Sequence, residues 1–87
     1  MKGFVYILQS LKTNKFYLGS SIDIEKRFLQ HNNGYVKSTK NQRPWMLVFS
    51  AEFENIKIAR QIEYKLKKLK SKKIIENIVL TKNIKIN

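Results

Sequence analysis

Two short runs rich in β-branched and aromatic residues, 3–9 and 15–20, flank the polar spacer Ser10-Leu11-Lys12-Thr13-Asn14. That arrangement is the signature of a β-hairpin, and it constrains the fold more than any other feature of the chain. If the turn pairs Gln9 with Asn14, Tyr6 stands opposite Tyr17 and both phenols leave the same face of the sheet. A one-residue slip would separate them.

Helices and a third strand follow. Asp23 can cap a helix over about residues 24–33, and Asn33-Gly34 supplies a left-handed stop. Ile24, Arg27, Phe28 and His31 fall within one arc of about 100°, so Arg27 and His31 border the buried face. Residues 35–44 are polar and basic and read as a loop closing on Arg43-Pro44, after which Trp45–Ala51 reads as a strand. Between Asn55 and Lys70, apolar residues at 56, 59, 62, 66 and 69 recur in steps of three and four, as an amphipathic helix requires. Glu63 falls between Ala59 and Ile56 on that wheel and faces inward. Ser71 can cap a last helix through about Leu80, leaving 81–87 as a loose tail.

At 87 residues the chain has room for one domain, 1–87, with a small core. There is no cysteine, so neither disulfides nor thiolate metal sites support it. The longest apolar runs, Phe4–Leu8 and Trp45–Phe49, fall far short of the roughly 20 residues that cross a bilayer. The N-terminus has no secretion signal, and a cytoplasmic location is expected. Eighteen Lys and Arg against six Asp and Glu give a net charge of +12, with +6 from each of 1–50 and 51–87. Such a charge attracts polyanions, and nucleic acid leads over a membrane surface because no basic helix carries exposed Trp or Phe. The alternative is a lysine-rich surface that only keeps the protein soluble.

Each candidate for chemistry has a structural alternative. An inward carboxylate is costly unless paired or metal-bound, so Glu63 needs either a divalent cation or a salt bridge to Arg27 or a lysine. One carboxylate is adequate for Mg²⁺, which keeps several waters and takes substrate phosphate. Arg27 carries a planar fork of donors suited to phosphate, or is one surface cation among eighteen basic residues. His31 can accept or hold a phenol's proton, or sit in solvent near a helix end. Tyr6 and Tyr17 are good strand formers and equally good core covers. Gly19 permits a turn, a bulge or the close approach of a phosphate. No P-loop, zinc-type cluster, Gly-x-Ser-x-Gly elbow or paired-carboxylate motif competes with this set.

Taken in order, these residues resemble the GIY-YIG nuclease superfamily, in particular its small single-domain members. Val5-Tyr6-Ile7 stands for the first motif and Tyr17-Leu18-Gly19 for the second. Arg27 and His31 lie in the stretch Ile24–Asn32 that is similar to the family's first helix, and Glu63 matches its metal-binding glutamate. Gly34, Thr39, Arg43-Pro44 and Leu47-Val48-Phe49 also fit the small-member pattern. The resemblance implies an α+β fold, a three-stranded antiparallel sheet flanked by helices, and metal-dependent cleavage of phosphodiester bonds in DNA.

In its terms Tyr6 is the general base, helped by His31, and Tyr17 orients the phosphate or the water. Arg27 stabilises the transition state, and Glu63 holds one Mg²⁺ or Mn²⁺. Gly19, Ser20, Lys26 and Asn33 are the expected substrate contacts. Two positions depart from the pattern: Val5 replaces a glycine-isoleucine lead, and Ser20 stands where some relatives carry a lysine. The partner expected is DNA, branched or structured DNA included, with RNA left open and a targeting protein as a further partner. A non-catalytic DNA- or RNA-binding module and a basic subunit of a nucleoprotein assembly are the rival readings.

Two demands follow. The two phenols, the guanidinium, the imidazole and the inward carboxylate must converge on one pocket. A free tyrosine is only about 0.1% ionised at pH 7, so cationic neighbours must favour the Tyr6 phenolate.

Overall fold

A computed structural model describes residues 1–84 of the chain. The hairpin forms β1 (Gly3–Ser10) and β2 (Phe16–Ser21), then α1 (Ile24–Asn32), β3 (Trp45–Phe53), α2 (Ile56–Leu69) and α3 (Lys72–Thr81) follow, with a short 3-10 turn at Lys40–Gln42. The sheet is antiparallel with order β2-β1-β3, so the first strand is central and the second is an edge. The α+β expectation holds.

The hairpin register differs from the expected one by two residues. Gln9 pairs with Phe16, so Tyr17 stands opposite Leu8 and Tyr6 opposite Gly19. The cause is a wider turn, in which the buried Ser10 hydroxyl accepts from the backbone N–H groups of Lys12 and Thr13 and donates to the Gln42 carbonyl at 2.6 Å. Because side chains alternate with a period of two, this slip leaves both tyrosines on one face. The face was right and the partner wrong.

Alternation divides the core between the two faces of the sheet. Val5 and Ile7 pack with Leu18, Phe49, Ala59, Leu66 and Ile78 under α2 and α3. Tyr6 and Leu8 pack with Trp45, Tyr17 and Phe28 on the α1 side. Burying side chains of this size contributes on the order of 1.5–3 kcal/mol each, and here that gain comes from both surfaces of a three-stranded sheet.

Local chemistry fixes the helix boundaries. The side chains of Asp23, Asn55 and Ser71 accept from the backbone N–H groups of Lys26, Ile58 and Ile74, which caps all three helices at their starts. Strand β3 runs two residues beyond the expected Ala51. The segment expected as a loose tail is partly ordered: Thr81 closes α3, Lys82 Nζ donates to the Val48 carbonyl at 2.7 Å, and Ile84 packs against the core. Residues 85–87 of that segment lie outside the described residues. Among the described residues no helix is long and apolar enough to cross a membrane.

The join between β1 and α2 admits no side chain. A Cβ on Gly3 would lie 2.5 Å from Ile56 Cα and 2.6 Å from the Asn55 carbonyl oxygen. Backbone atoms at a capped helix start yield little, so Gly3→Ala is expected to cost about 1–3 kcal/mol by overpacking. Urea unfolding checks this. A variant as stable as the wild type would show that the join relaxes freely.

Candidate active site

The α1-facing side of the hairpin carries a buried polar chain. His31 is fully buried, its Nε2 lies 2.8 Å from the Tyr6 hydroxyl, and its Nδ1 lies 2.8 Å from Thr39 Oγ1. Thr39, also fully buried, has one hydroxyl proton, and the Val36 carbonyl receives it at 3.3 Å. That leaves a threonine lone pair for Nδ1–H, so the network assigns the lone pair of the ring to Nε2 and makes Tyr6 the donor. The imidazole is aimed at the phenol as a proton acceptor.

Packing holds this chain in place. Helix α1 presents His31 as its penultimate residue, and Asn32 beside it clamps the start of β3: its Nδ2 donates to the Trp45 carbonyl at 3.0 Å, and the Trp45 N–H donates to Oδ1 at 2.7 Å. The Trp45 indole N–H in turn donates to the Thr39 carbonyl at 2.9 Å. Tyr17 closes the outer side, its ring edge-on to His31 at 5.0 Å and to Trp45 at 6.2 Å. His31, expected at the border of the buried face, lies fully inside it, and the alternative of a solvated histidine at a helix end is excluded because Thr39 of the 35–44 segment packs against the ring.

Gly19 has a structural task as well. A Cβ there would lie 2.5 Å from Tyr6 Cζ, so the missing side chain makes room for the phenol across the ladder. Ser20, the next residue, points to the other face, where its hydroxyl donates to Glu63 Oε1. The other Glu63 oxygen is 2.5 Å from Lys67 Nζ, one turn along α2. Arg27 does not pair with Glu63, and donates instead to Gln30 Oε1 at 3.0 Å. Lys26 and Asn33 are exposed at the two ends of α1, and neither side chain bonds to the Tyr6–His31 group.

The expected single pocket is therefore assembled differently. Tyr6, Tyr17, Arg27 and His31 gather on the α1 face, whereas Glu63 belongs to α2 on the opposite face, where Ser20 and Lys67 hold its carboxylate. The two faces are linked at longer range: the Glu63 charge opposes ionisation of Tyr6, as the least of its causes, and the Lys67 ammonium that Glu63 holds lies 5.8 Å from the centre of the Tyr17 ring.

Burial sets the protonation states. It pushes the Tyr6 phenol up to about 12, against the pull of the adjacent Arg27 guanidinium, with Tyr17 and Glu63 adding to the rise. Cationic neighbours were expected to favour the phenolate, but desolvation outweighs them. Burial first, and Arg27 second, hold His31 down at about 4, so the ring is neutral at pH 7 and keeps its Nε2 lone pair.

Thr39 and Lys67 were not expected among the site residues. The Glu63–Lys67 spacing of four was open to inspection, since such pairs face each other on a helix. Nothing in the sequence placed Thr39 against His31, because that contact depends on the path of the loop.

Two outcomes test the buried chain. Thr39→Val leaves Nδ1–H unpaired in the core and is expected to cost about 1–3 kcal/mol, whereas Thr39→Ser keeps the hydroxyl and stays close to wild type. Equal melting temperatures for Val and Ser would reject the assignment. Acid gives the second outcome. Above pH 6.5 His31 is neutral folded or unfolded; between 6.5 and about 4 only the unfolded chain takes the proton, so stability falls with falling pH, by about 3 kcal/mol in total. His31→Gln should flatten that limb of the stability curve.

Comparison with known proteins bears on this geometry. The model of the GIY-YIG catalytic domain matches residues 2–76. A UPF0213 protein of Staphylococcus saprophyticus is 37% identical over 78 residues, covering 88% of this chain and 94% of the relative. The UPF0213 protein YazA of Bacillus subtilis is 41% identical over 71 residues, covering 80% and 71%. The solution NMR structure of a UPF0213 protein from Bacillus halodurans superposes with a TM-score of 0.59 at 32% identity, covering 94% of this chain and 86% of that one. GIY-YIG domains are typically endonucleases that use a divalent metal, and nucleic acid is the substrate class this implies. With both tyrosine motifs on one sheet face and the match spanning most of its length, the chain belongs to the GIY-YIG family, among its small UPF0213 members.

Proposed function

We propose that this chain is an endonuclease that hydrolyses phosphodiester bonds in DNA with Tyr6 as general base and one divalent cation on Glu63. The observation that carries the reading is the buried chain Tyr6–His31–Thr39, which fixes the phenol oxygen and gives its proton a neutral acceptor at His31 Nε2.

Glu63 fits a hard cation. Among the described residues no cluster of three or more His, Cys, Asp or Glu could hold a metal alone. A Mg²⁺ or Mn²⁺ ion does not require one, since it takes a single carboxylate with waters and a substrate phosphate. Both Glu63 oxygens already face donors, the Ser20 hydroxyl and the Lys67 ammonium, so the position accepts positive charge. When bound, the ion would supply positive charge against the leaving oxygen.

The protein groups divide the remaining work. Tyr6 takes the proton of the attacking water in its phenolate form, after its own proton has been lost to solvent, and His31 fixes the position of the phenol oxygen. Arg27, partly exposed beside the phenol, neutralises charge developing on the phosphate oxygens. Tyr17, braced between His31 and Trp45, orients phosphate or water with its hydroxyl. A second reading, a DNA- or RNA-binding module without catalysis, draws on the Lys67 ammonium at Glu63 and the strongly protonated Tyr6. Nicking of supercoiled plasmid separates the two.

The purified protein is expected to nick plasmid in Mn²⁺ or Mg²⁺ and to stop in chelator. Tyr6→Phe, Arg27→Ala and Glu63→Ala should each lower the rate by roughly 10²- to 10⁴-fold with the fold intact by circular dichroism. Because the phenol is held at about 12, its ionised fraction grows about tenfold per pH unit from 7 to 9, and the rate should climb with it. Full activity in chelator, or a flat profile over that range, would reject Tyr6 and the metal in these roles.

A further inference from the structure

Beside the catalytic edge, a groove of about 530 Å³ opens between β2, the end of α2 and the start of α3. Phe16, Leu66 and Ile75 form an apolar floor, and Lys15, Lys67, Lys70 and Lys72 stand around it with no acidic side chain in the lining. Tyr17 is the wall shared with the active site: one side of the groove is the ring that packs edge-on to His31.

Local propensity argues against lysine at two of these positions. Lys70 ends α2 with φ 48° and ψ 40°, the left-handed conformation that favours glycine or asparagine. Lys72 opens α3, followed by Lys73, in a first turn with no acidic residue, where the helix dipole repels cations. Among the described residues the ion pairs are Lys2–Glu52 and Lys67–Glu63, so Lys15, Lys70 and Lys72 have no carboxylate partner. Residues that break local rules without an internal gain mark work done on something outside the chain.

We infer that this groove binds an unpaired stretch of nucleic acid next to the scissile phosphate, so that the enzyme acts on DNA with a single-stranded segment at the cut. The placement of the cut rests on the nuclease reading above. Phosphates of a polyanion match the lysine rim by charge. A duplex hides its bases and leaves an apolar floor unused, whereas an unstacked base lays an apolar face on Phe16 and Ile75 while its backbone follows the rim. The shared wall then sets the strand's next phosphate beside Tyr17, Tyr6 and Arg27.

The test uses the whole chain in chelator, with fluorescence anisotropy of a labelled oligothymidylate and of a blunt hairpin duplex. In the double variant Lys70→Gly/Lys72→Glu, glycine suits the left-handed position and glutamate suits the helix start, so its melting temperature should equal or exceed that of the wild type. Its affinity for the oligothymidylate should nevertheless fall at least about tenfold, and the slope of log affinity against log salt should shrink by about 1.4, as expected for two lost phosphate contacts. Lys57→Gln/Lys68→Glu makes the same change in net charge on the exposed side of α2 and should bind the oligothymidylate several-fold more tightly than the groove variant.

Equal losses in the two variants, wild-type binding by the groove variant, or a wild-type preference for the duplex would each overturn the inference. Plasmid nicking in Mn²⁺ is scored separately. A protein that nicks but shows no groove effect loses only the strand site, and one that shows the groove effect without nicking loses only the nuclease reading.

Discussion

A single buried hydrogen-bond chain, Tyr6 to His31 to Thr39, sets the terms for the rest of this small fold. Each link is 2.8 Å long, and neither His31 nor Thr39 has any contact with solvent. Leaving one such group unpaired would cost as much as a typical core substitution, so the three elements that supply them must arrive together. The central strand supplies the phenol and the first helix the imidazole. The loop before β3 supplies the threonine, and Asn32 and Trp45 secure that loop through three further hydrogen bonds. A stretch that reads as polar connection is in effect the lid of the polar core.

The sheet arrangement sets where the candidate residues of the two faces lie relative to one another. With order β2-β1-β3, the strand carrying Tyr17 and Gly19 is an edge. Ser20 is the pivot, since alternation turns it away from Gly19 and towards the Glu63 carboxylate. Were β2 the central strand, the acid and the phenols would be separated by a full sheet thickness. Topology thus carries as much of the site as side-chain identity does.

Sequence pattern reached the elements and the sheet face that Tyr6 and Tyr17 share, for physical reasons that can be named. Caps at Asp23, Asn55 and Ser71 and the three-and-four spacing of α2 are local signals, and each element lies within a residue or two of its expected range. The register slipped by two because the Ser10 side chain widens the turn, an interaction with Gln42 some thirty residues away. Tyr6 and Tyr17 still shared a face, since only an odd slip reverses it. Burial of His31, its bond to Thr39 and the bond from Ser20 to Glu63 are long-range outcomes. No local pattern encodes them.

The protonation states tie these features together. Desolvation makes Tyr6 a poor base at rest, and the same desolvation makes His31 a neutral acceptor with its lone pair facing the phenol. In a wetter pocket the tyrosine would ionise more readily, but its hydrogen bond and any charge placed against it would be weakened by solvent. Burial contributes most to holding the Tyr6 proton and the Glu63 charge least, so positive charge placed at that carboxylate eases ionisation of the phenol while leaving the larger cost of desolvation in place. Protonated Tyr6 and neutral Nε2 of His31 are thus two results of one cause, the removal of both groups from water by the strand, the helix and the loop that enclose them.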